Sequence, residues 1–149
     1  MPITVRAATL DDEAAVLALI EELFETPSAR APGYTTDRGQ AGFHHAVLDP
    51  AVDVLLALDR DRIIGLASVY ADILSIRFGP RCWLQDLVVT AGHRSRGAGK
   101  ALLDAATEWA RDRGCTHLEL SSGAGRKDAH RFYLREGMTQ SYNFSRWLD

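Results

Sequence analysis

The chain has 149 residues, of which 46% are hydrophobic and 25% charged, and its formal net charge at pH 7 is −3. The length predicts one domain over residues 1–149, and the acidic balance argues against a nucleic-acid-binding protein. No apolar run reaches the roughly 20 residues of a membrane span and no signal-peptide core is visible, so we expect a cytoplasmic protein with Cys82 and Cys115 reduced.

Hydrophobic periodicity and turn residues predict alternating strands and helices. The residues Thr9 to Asp12 are typical of a capping box at the start of a helix. In chain order we predict a strand at 3–6, a helix that ends by Pro27, a helix at 37–48, a hairpin of strands 52–58 and 63–71, a connection at 72–81, a strand at 82–89, a helix from Gly97 to Gly114, a strand at 117–120, a helix at 128–136 and a last strand at 142–148.

The segment 88–103 joins the end of a strand, a basic glycine-rich turn and the start of an amphipathic helix. Gly97 and Gly99 lack a Cβ atom, so the backbone can turn tightly and approach a ligand closely. The first amides of a helix have no intrahelical acceptor, and the helix dipole adds partial positive charge there. Full charges come from Arg94, Arg96 and Lys100. The segment therefore predicts a polyphosphate site.

Two common nucleotide motifs do not fit this segment. A Walker A loop needs a glycine where Arg94 stands and a hydroxyl residue where Ala101 follows the lysine. A dinucleotide fingerprint needs a third glycine, and Leu102 stands at that position. What remains is the pattern Arg94-x-x-Gly97-x-Gly99.

This pattern resembles the acyl-CoA pyrophosphate loop of the GNAT superfamily of N-acetyltransferases. Residues 126–138 resemble the late helix of the same family, through Phe132-Tyr133 and the glycine that follows. Asp128 and Met138 depart from it, because the family often has Asn and Phe there. The resemblance covers nearly the whole chain, with both motifs in order and at the usual spacing.

The resemblance implies a single-domain α/β (α+β) fold, with a mixed central sheet of about six to seven strands and about four helices. It implies acetyl-CoA as cosubstrate, held in a splay between the two central strands, and a direct transfer of the acetyl group to a primary amine. A non-catalytic acyl-CoA-binding sensor or interaction module is the alternative. The presence of Tyr133 favours the enzyme.

The implied cofactor site combines the strand before the loop, the loop with the start of its helix, and the late helix. Its residues are Leu87, Val88, Val89, Arg94, Ser95, Arg96, Gly97, Ala98, Gly99, Lys100, Ala101, Asp128, Arg131 and Tyr133. No histidines or cysteines stand at the short paired spacings of metal ligands, so we expect no metal.

Three groups are candidates for catalysis. Tyr133 is the predicted general acid, because a phenol with a pKa of ~10 keeps its proton at neutral pH. A free backbone amide of Leu87 or Val88 is the predicted oxyanion donor. Asp86 either binds the substrate ammonium or accepts its proton, or else it is a structural carboxylate bonded to nearby amides. Gln85 stands where polyamine-type relatives often have Glu.

The acceptor class stays open among polyamines, aminoglycosides, amino-acid-like molecules and protein amines. An acidic rim for a cationic amine is one hypothesis, formed by Glu21, Glu22, Glu25, Asp72 and Asp86. The alternative for Glu21 and Glu22 is the solvated face of an amphipathic helix. An acidic acceptor would suit Arg30, Arg77 and Arg81. We expect no nucleic-acid or membrane partner. The alternation of Tyr142, Phe144 and Trp147 is consistent with an edge strand that pairs in a homodimer.

Overall fold

The computed structural model describes residues 2–26 and 29–148, so the predicted helix end at Pro27 lies outside the described residues. The chain divides into two compact units, residues 1–119 and 120–149. A single domain over the whole chain stays a prediction.

The first unit is built on a mixed sheet of five strands, in the order β1-β2-β3-β4-β5. Its elements are β1 Ile3–Ala7, a 3-10 turn Leu10–Asp12, α1 Glu13–Leu23, α2 Thr36–Leu48, β2 Val52–Asp59, β3 Arg62–Ser75, β4 Gly79–Val89, α3 Ala98–Asp112 and β5 His117–Glu119. Neighbouring strands are antiparallel except β4 and β5, which are parallel. The predicted fold class is confirmed.

Helices cover both faces of this sheet. The layer beneath α1 and α2 contains the buried side chains Val16, Leu19, Phe43, Ala46, Leu56, Leu66 and Val88. Because neighbouring strand residues face opposite ways, Gly65 faces the other side, where α3 packs. A Cβ atom on Gly65 would lie 2.8 Å from Val88 O and 3.3 Å from Leu102 Cδ1. The absence of a side chain therefore lets α3 lie close to β3.

α3 confirms the predicted amphipathic helix. Its buried stripe includes Ala98, Leu102, Ala106 and Trp109, whereas Lys100, Asp104, Glu108 and Arg111 are exposed. The helix ends at Asp112, and Gly114 follows the C-cap Arg113 with a φ of +73°, the left-handed conformation that ends many helices. The strand and helix patterns of the first 119 residues thus place the elements within a few residues of their observed bounds.

The strand count was predicted wrongly: the described residues form five strands, rather than about six to seven. The expected strand at 142–148 is not among them. Tyr142, Phe144 and Trp147 are 87%, 92% and 71% exposed. Alternation of apolar and polar residues predicts a strand only where a neighbouring strand can pair with its N–H and C=O groups. Dimer formation through this segment stays a prediction.

The connection predicted at 72–81 was also wrong, because β3 continues to Ser75 and β4 begins at Gly79. The turn between them is tight. The Phe78 N–H donates to Ser75 Oγ at 2.8 Å, and Ser75, the last residue of β3, pairs with Gly79, the first residue of β4. The end of this hairpin is exposed, including the apolar side chains of Ile73, Leu74 and Ile76.

The second unit contains α4, Lys127–Arg135. The predicted cap at Asp128 is wrong, because the capping position is Arg126 and Asp128 lies in the first turn, paired with Arg131. At the other end the Met138 N–H donates to Tyr133 O at 3.1 Å. In the described part of the chain, no helix has the length and apolarity that crossing a membrane requires.

A carboxylate joins β1 to the start of α1. Asp12 accepts hydrogen bonds from Arg6 Nη1 and Nη2 at 2.9 and 3.0 Å, and from the Thr9 N–H at 2.8 Å. The hydrogen bonds from the Arg6 guanidinium hold the pKa of Asp12 at about 2. This confirms the predicted role of Asp12 at the helix start.

We predict that Asp12→Asn lowers the free energy of unfolding at pH 7 by about 1–2 kcal/mol, since the amide loses the charge-assisted bonds. A depressed pKa in the folded state stabilises the protein above the unfolded value near 4, and that contribution disappears as the pH falls through about 2. Urea unfolding of both proteins at pH 7, 4 and 2 should therefore give a shrinking difference. A difference independent of pH would contradict the assignment.

Candidate active site

One edge of β4 is paired along only part of its length within the first unit. Its β3 edge is paired as far as Gly65↔Val89. Its β5 edge is paired only from Arg81↔His117 to Trp83↔Glu119. Within the first unit the pairing therefore stops after Trp83, where β5 itself ends at Glu119, and a splay between the two strands stays a prediction.

The direction of the amides along this edge follows from two hydrogen bonds. The Asp86 N–H donates to Ser68 Oγ at 3.0 Å, and the Thr90 N–H donates to the Ile64 carbonyl at 2.8 Å, so both point toward β3. Amides alternate along a strand. The N–H groups of residues 87 and 89 therefore point to the unpaired edge, whereas that of residue 88 points toward β3.

A β-bulge in β4 sets the face on which Asp86 lies. Leu84 pairs with Val69 and Asp86 pairs with Ser68, which leaves Gln85 as the extra residue. Without the bulge, residues 84 and 86 would share a face. With it, Leu84 and Asp86 face opposite ways, and Asp86 shares the α1/α2 face with Ser68.

The loop 90–97 leads from this edge into α3. Its backbone takes positive φ at Gly92, Ser95 and Gly97, at +87°, +64° and +89°. Gly97 is the N-cap of α3 in a left-handed conformation, which glycine adopts without the strain of a Cβ atom. The Ala101 N–H makes the first helical bond, to the Gly97 carbonyl at 2.9 Å. The amides of the first turn thus lie at the end of the loop, as predicted for an anion site.

Glu22 of α1 binds the first half of the loop. Its carboxylate accepts a hydrogen bond from Thr90 Oγ1 at 2.8 Å and one from the Ala91 N–H at 2.6 Å. Arg94 Nη2 lies 4.0 Å from Glu22 Oε1, and Arg94 Nε donates to the Val89 carbonyl at 3.0 Å. Glu22 is therefore bound to the loop and is neither part of a rim for a cationic amine nor a residue of a solvated helix face. The sequence carries no signal for these contacts, because they join residues almost 70 positions apart.

Asp86 lies in a small polar cluster on β3 and β4. Ser68 Oγ donates to Asp86 Oδ2 at 2.8 Å, and among the described residues no other group hydrogen-bonds to the carboxylate. Burial raises the pKa of Asp86, and burial together with the Asp86 charge raises the pKa of Tyr70. Sequence reasoning missed Ser68 and Tyr70. The polar Ser68 inside the apolar run 64–69 was the available signal.

Two residues predicted to contact the amine substrate, Arg81 and Asp72, are bound to each other. Arg81 forms ion pairs with Asp72 at 2.8 Å and with Glu119 at 3.5 Å. Trp83 Nε1 donates to Gln85 Oε1 at 2.7 Å. Arg81 contributes one positive charge and Asp72 and Glu119 one negative charge each, so the group carries a net charge of −1 and its arginine is already bound to carboxylates.

The second unit contains the remaining predicted site residues. Tyr133 is partly buried, and burial raises the pKa of its hydroxyl against a lowering effect of the Arg126 guanidinium. Asp128 and Arg131 are exposed and paired with each other. The roles of all three toward acetyl-CoA stay predictions.

Neither thiols nor metal ligands form a second centre in the described ranges 2–26 and 29–148. No group of three or more His, Cys, Asp or Glu side chains converges there. Burial raises the pKa of Cys82 to about 12, so this thiol stays protonated and is a poor nucleophile.

Comparison with known proteins identifies the family. The profile of the acetyltransferase (GNAT) family matches residues 16–138. The chain belongs to the GNAT family of acetyltransferases. It is 38% identical over 146 residues to the aminoalkylphosphonate N-acetyltransferase of Salmonella typhimurium, which covers 95% of this chain and 89% of that protein. Over 73 residues it is 53% identical to an uncharacterized N-acetyltransferase of Bacillus subtilis, a match that spans 48% of this chain and about half, 51%, of that protein.

Solved structures share the GNAT fold. A transcriptional regulator from Bacillus halodurans has a TM-score of 0.83 at 24% identity, covering 99% of this chain and 100% of that one. An aminoglycoside N-acetyltransferase in complex with CoA has a TM-score of 0.82 at 17% identity, covering 99% and 95%. Because the matching family consists of acetyltransferases and both relatives are named N-acetyltransferases, the chain is an acetyl-CoA-dependent N-acetyltransferase.

We predict that Asp86→Asn raises the free energy of unfolding above pH 7 by about 1–3 kcal/mol, because it removes a carboxylate that burial penalises when charged. A folded-state pKa above the unfolded value stabilises the protein at low pH, and this contribution is lost as the pH rises through the folded pKa.

Urea unfolding at pH 4 and pH 8 measures the effect. The advantage of the variant should grow with pH. A matched Ser68→Ala variant keeps the charge but removes its only described hydrogen-bond donor, so it should lose stability most at pH 8. An Asp86→Asn variant that is equally destabilised at both values would show a purely structural carboxylate.

Proposed function

We propose that this GNAT enzyme acetylates the primary amine of a small molecule by direct attack on acetyl-CoA, and that its acceptor is an aminoalkylphosphonate or a similar amino acid. The observation that carries the proposal is the unpaired β4 edge leading through loop 90–97 into the N-terminus of α3. An extended chain with amides can pair along such an edge, and a pyrophosphate suits the helix start.

Cofactor binding falls to this chain's backbone more than to its side chains. The N–H and C=O groups of residues 87 and 89 are the strand donors and acceptors for the pantetheine arm. The amides of residues 98–101 receive the phosphates, with the charges of Arg94, Arg96 and Lys100 around them. Acetyl-CoA supplies the activated acetyl thioester.

The oxyanion donor is the amide of Leu87 in this proposal. The sequence left Leu87 and Val88 open, and the amide of residue 88 points toward β3 rather than toward the unpaired edge. A backbone N–H held by a paired strand needs no reorganisation as the carbonyl oxygen gains charge. Val88 then contributes to the α1/α2 core, in which its side chain is buried.

Asp86 serves the amine. A substrate ammonium must lose a proton before it attacks, and a carboxylate with a raised pKa is a better base than an ordinary one. Ser68 binds only Oδ2, so Oδ1 keeps lone pairs for the ammonium or for a water molecule. The structural alternative required hydrogen bonds from nearby amides, whereas among the described residues the donor to the carboxylate is the Ser68 hydroxyl.

Tyr133 is the proposed general acid. Its raised pKa keeps the hydroxyl protonated at neutral pH, as a donor to the departing thiolate requires. Its place in the Phe132-Tyr133 pair of the late helix supports this role by resemblance. We assign no catalytic role to Phe132, whose ring packs against the Arg135 guanidinium and the Tyr133 ring.

The acceptor proposal rests on the Salmonella relative, which matches 95% of this chain at 38% identity. An aminoalkylphosphonate carries both an amine and an anionic group. With Arg81 bound to carboxylates, Arg30 and Arg77 are the remaining arginines from the sequence analysis. Arg30 lies 4.9 Å from the ring centre of Phe24 and 5.5 Å from that of Tyr34.

The acceptor is tested by free-thiol release from acetyl-CoA, with an aminoalkylphosphonate, the matching alkylamine without phosphonate, a polyamine, an aminoglycoside and a lysine peptide. We expect the phosphonate to be acetylated with kcat/KM at least about tenfold above the plain alkylamine, since the anionic group adds charge-assisted hydrogen bonds. Equal values would contradict the acceptor proposal. Binding of CoA without turnover of any amine would favour the acyl-CoA-binding module.

Tyr133→Phe should lower kcat by roughly 100-fold, because general acid catalysis typically contributes that much or more, while the affinity for CoA stays near wild type. Tyr142→Phe is the matched control, since Tyr142 is an exposed tyrosine of the same unit and should leave kcat unchanged. Steady-state kinetics and calorimetric titration of CoA measure the two effects. Full activity in Tyr133→Phe would remove Tyr133 from the mechanism.

A further inference from the structure

The contact between α1 and loop 90–97 is made by a carboxylate, that of Glu22, although the loop is proposed to bind an anionic ligand. A carboxylate close to a polyphosphate site repels the ligand, so Glu22 weakens binding by its charge alone. Its side chain is nevertheless only 20% exposed, and both of its oxygens accept hydrogen bonds from the loop. A charge in this position requires a compensating role.

The three contacts of Glu22 all lie within the first five residues of the loop. The Ala91 N–H and Thr90 Oγ1 donate to it, and the Arg94 guanidinium lies at 4.0 Å. Arg94 also donates to the Val89 carbonyl. The chain leaving β4 is therefore held at residues 90, 91 and 94, on both sides of Gly92 and before the positive φ values of Ser95 and Gly97.

The second half of the loop has few such contacts. Ser95 and Gly97 take left-handed conformations, and both residues are exposed. A loop of this kind samples other conformations unless its entry is fixed, and every conformation that misdirects the α3 amides lowers the apparent affinity for the cofactor. The Glu22 contacts restrict that entry.

We propose that Glu22 is a positioning residue for acetyl-CoA: its carboxylate holds residues 90–94, so that the loop and the α3 amides are arranged before the cofactor binds. This inference rests on the proposed function of the same loop. Glu22 acts on the cofactor through the loop and does not touch the reacting atoms.

Calorimetric titration of CoA into the full chain tests the proposal. Glu22→Ala should raise Kd about tenfold, because the Ala91 N–H and the Thr90 hydroxyl lose their acceptor. Glu22→Gln should stay within about twofold of wild type, since its amide oxygen still accepts from Ala91 and the repulsive charge is gone. Thr90→Val removes one of the two donors and should give an intermediate loss.

Kinetics supply the readout that a merely structural role would not move. In Glu22→Ala the KM for acetyl-CoA should rise about tenfold, whereas kcat and the KM of the amine stay within about twofold. Glu108→Ala is the matched control, because Glu108 is an exposed helical glutamate that pairs with Arg111 on α3. It should leave all three constants unchanged.

The outcomes separate this inference from the proposed function. If wild type does not bind CoA, the cofactor assignment fails, and this inference fails with it. If wild type binds and Glu22→Ala binds equally well, only the positioning role is overturned. Equal losses in Glu22→Ala and Glu22→Gln would also overturn it, since they would show that the charge itself is needed. If Glu22→Ala fails to fold, unchanged affinity in Thr90→Val overturns the proposal.

Discussion

The unequal hydrogen bonding of the two edges of β4 is the constraint on which the rest of this structure depends. One edge is paired with β3 as far as Val89, and the other is paired with β5 only up to Trp83. Backbone N–H and C=O groups need partners, and a strand edge without them is a template for an extended ligand. The bulge at Gln85 in the same strand places Asp86 on the α1/α2 face.

Two carboxylates lie on or beside this strand, although a site for an anion is expected to be surrounded by positive charge. Glu22 places a negative charge under the basic loop, and Asp86 keeps a carboxylate in a mostly apolar layer. Each of these charges is held by hydrogen bonds from a neighbouring strand or loop, Glu22 by Thr90 and Ala91, and Asp86 by Ser68. Stability lost at such sites is commonly the counterpart of catalytic function. Here the burial penalty falls on the Asp86 carboxylate, whose pKa is raised.

Sequence reasoning succeeded where a pattern is local. The amphipathic period of α3, the capping box at Asp12 and the glycine at the start of α3 each depend on residues within a few positions of one another. It failed at 142–148 and at 72–81, because alternation and polarity say how a segment could pair, not whether a partner strand lies beside it. The candidate residues of β4 were found from the motif, but the choice between the amides of 87 and 88 needed the register with β3.

The sequence by itself determined the family, the order of the elements and the loop that suits a pyrophosphate, since motif, periodicity and turn chemistry are read along the chain. Only the tertiary structure decided that Glu22 binds Thr90 and Ala91, that Ser68 donates to Asp86, and that Arg81 is occupied by Asp72 and Glu119. The physical reason is distance along the chain. These partners are brought together by strand register and helix packing, which no local propensity encodes.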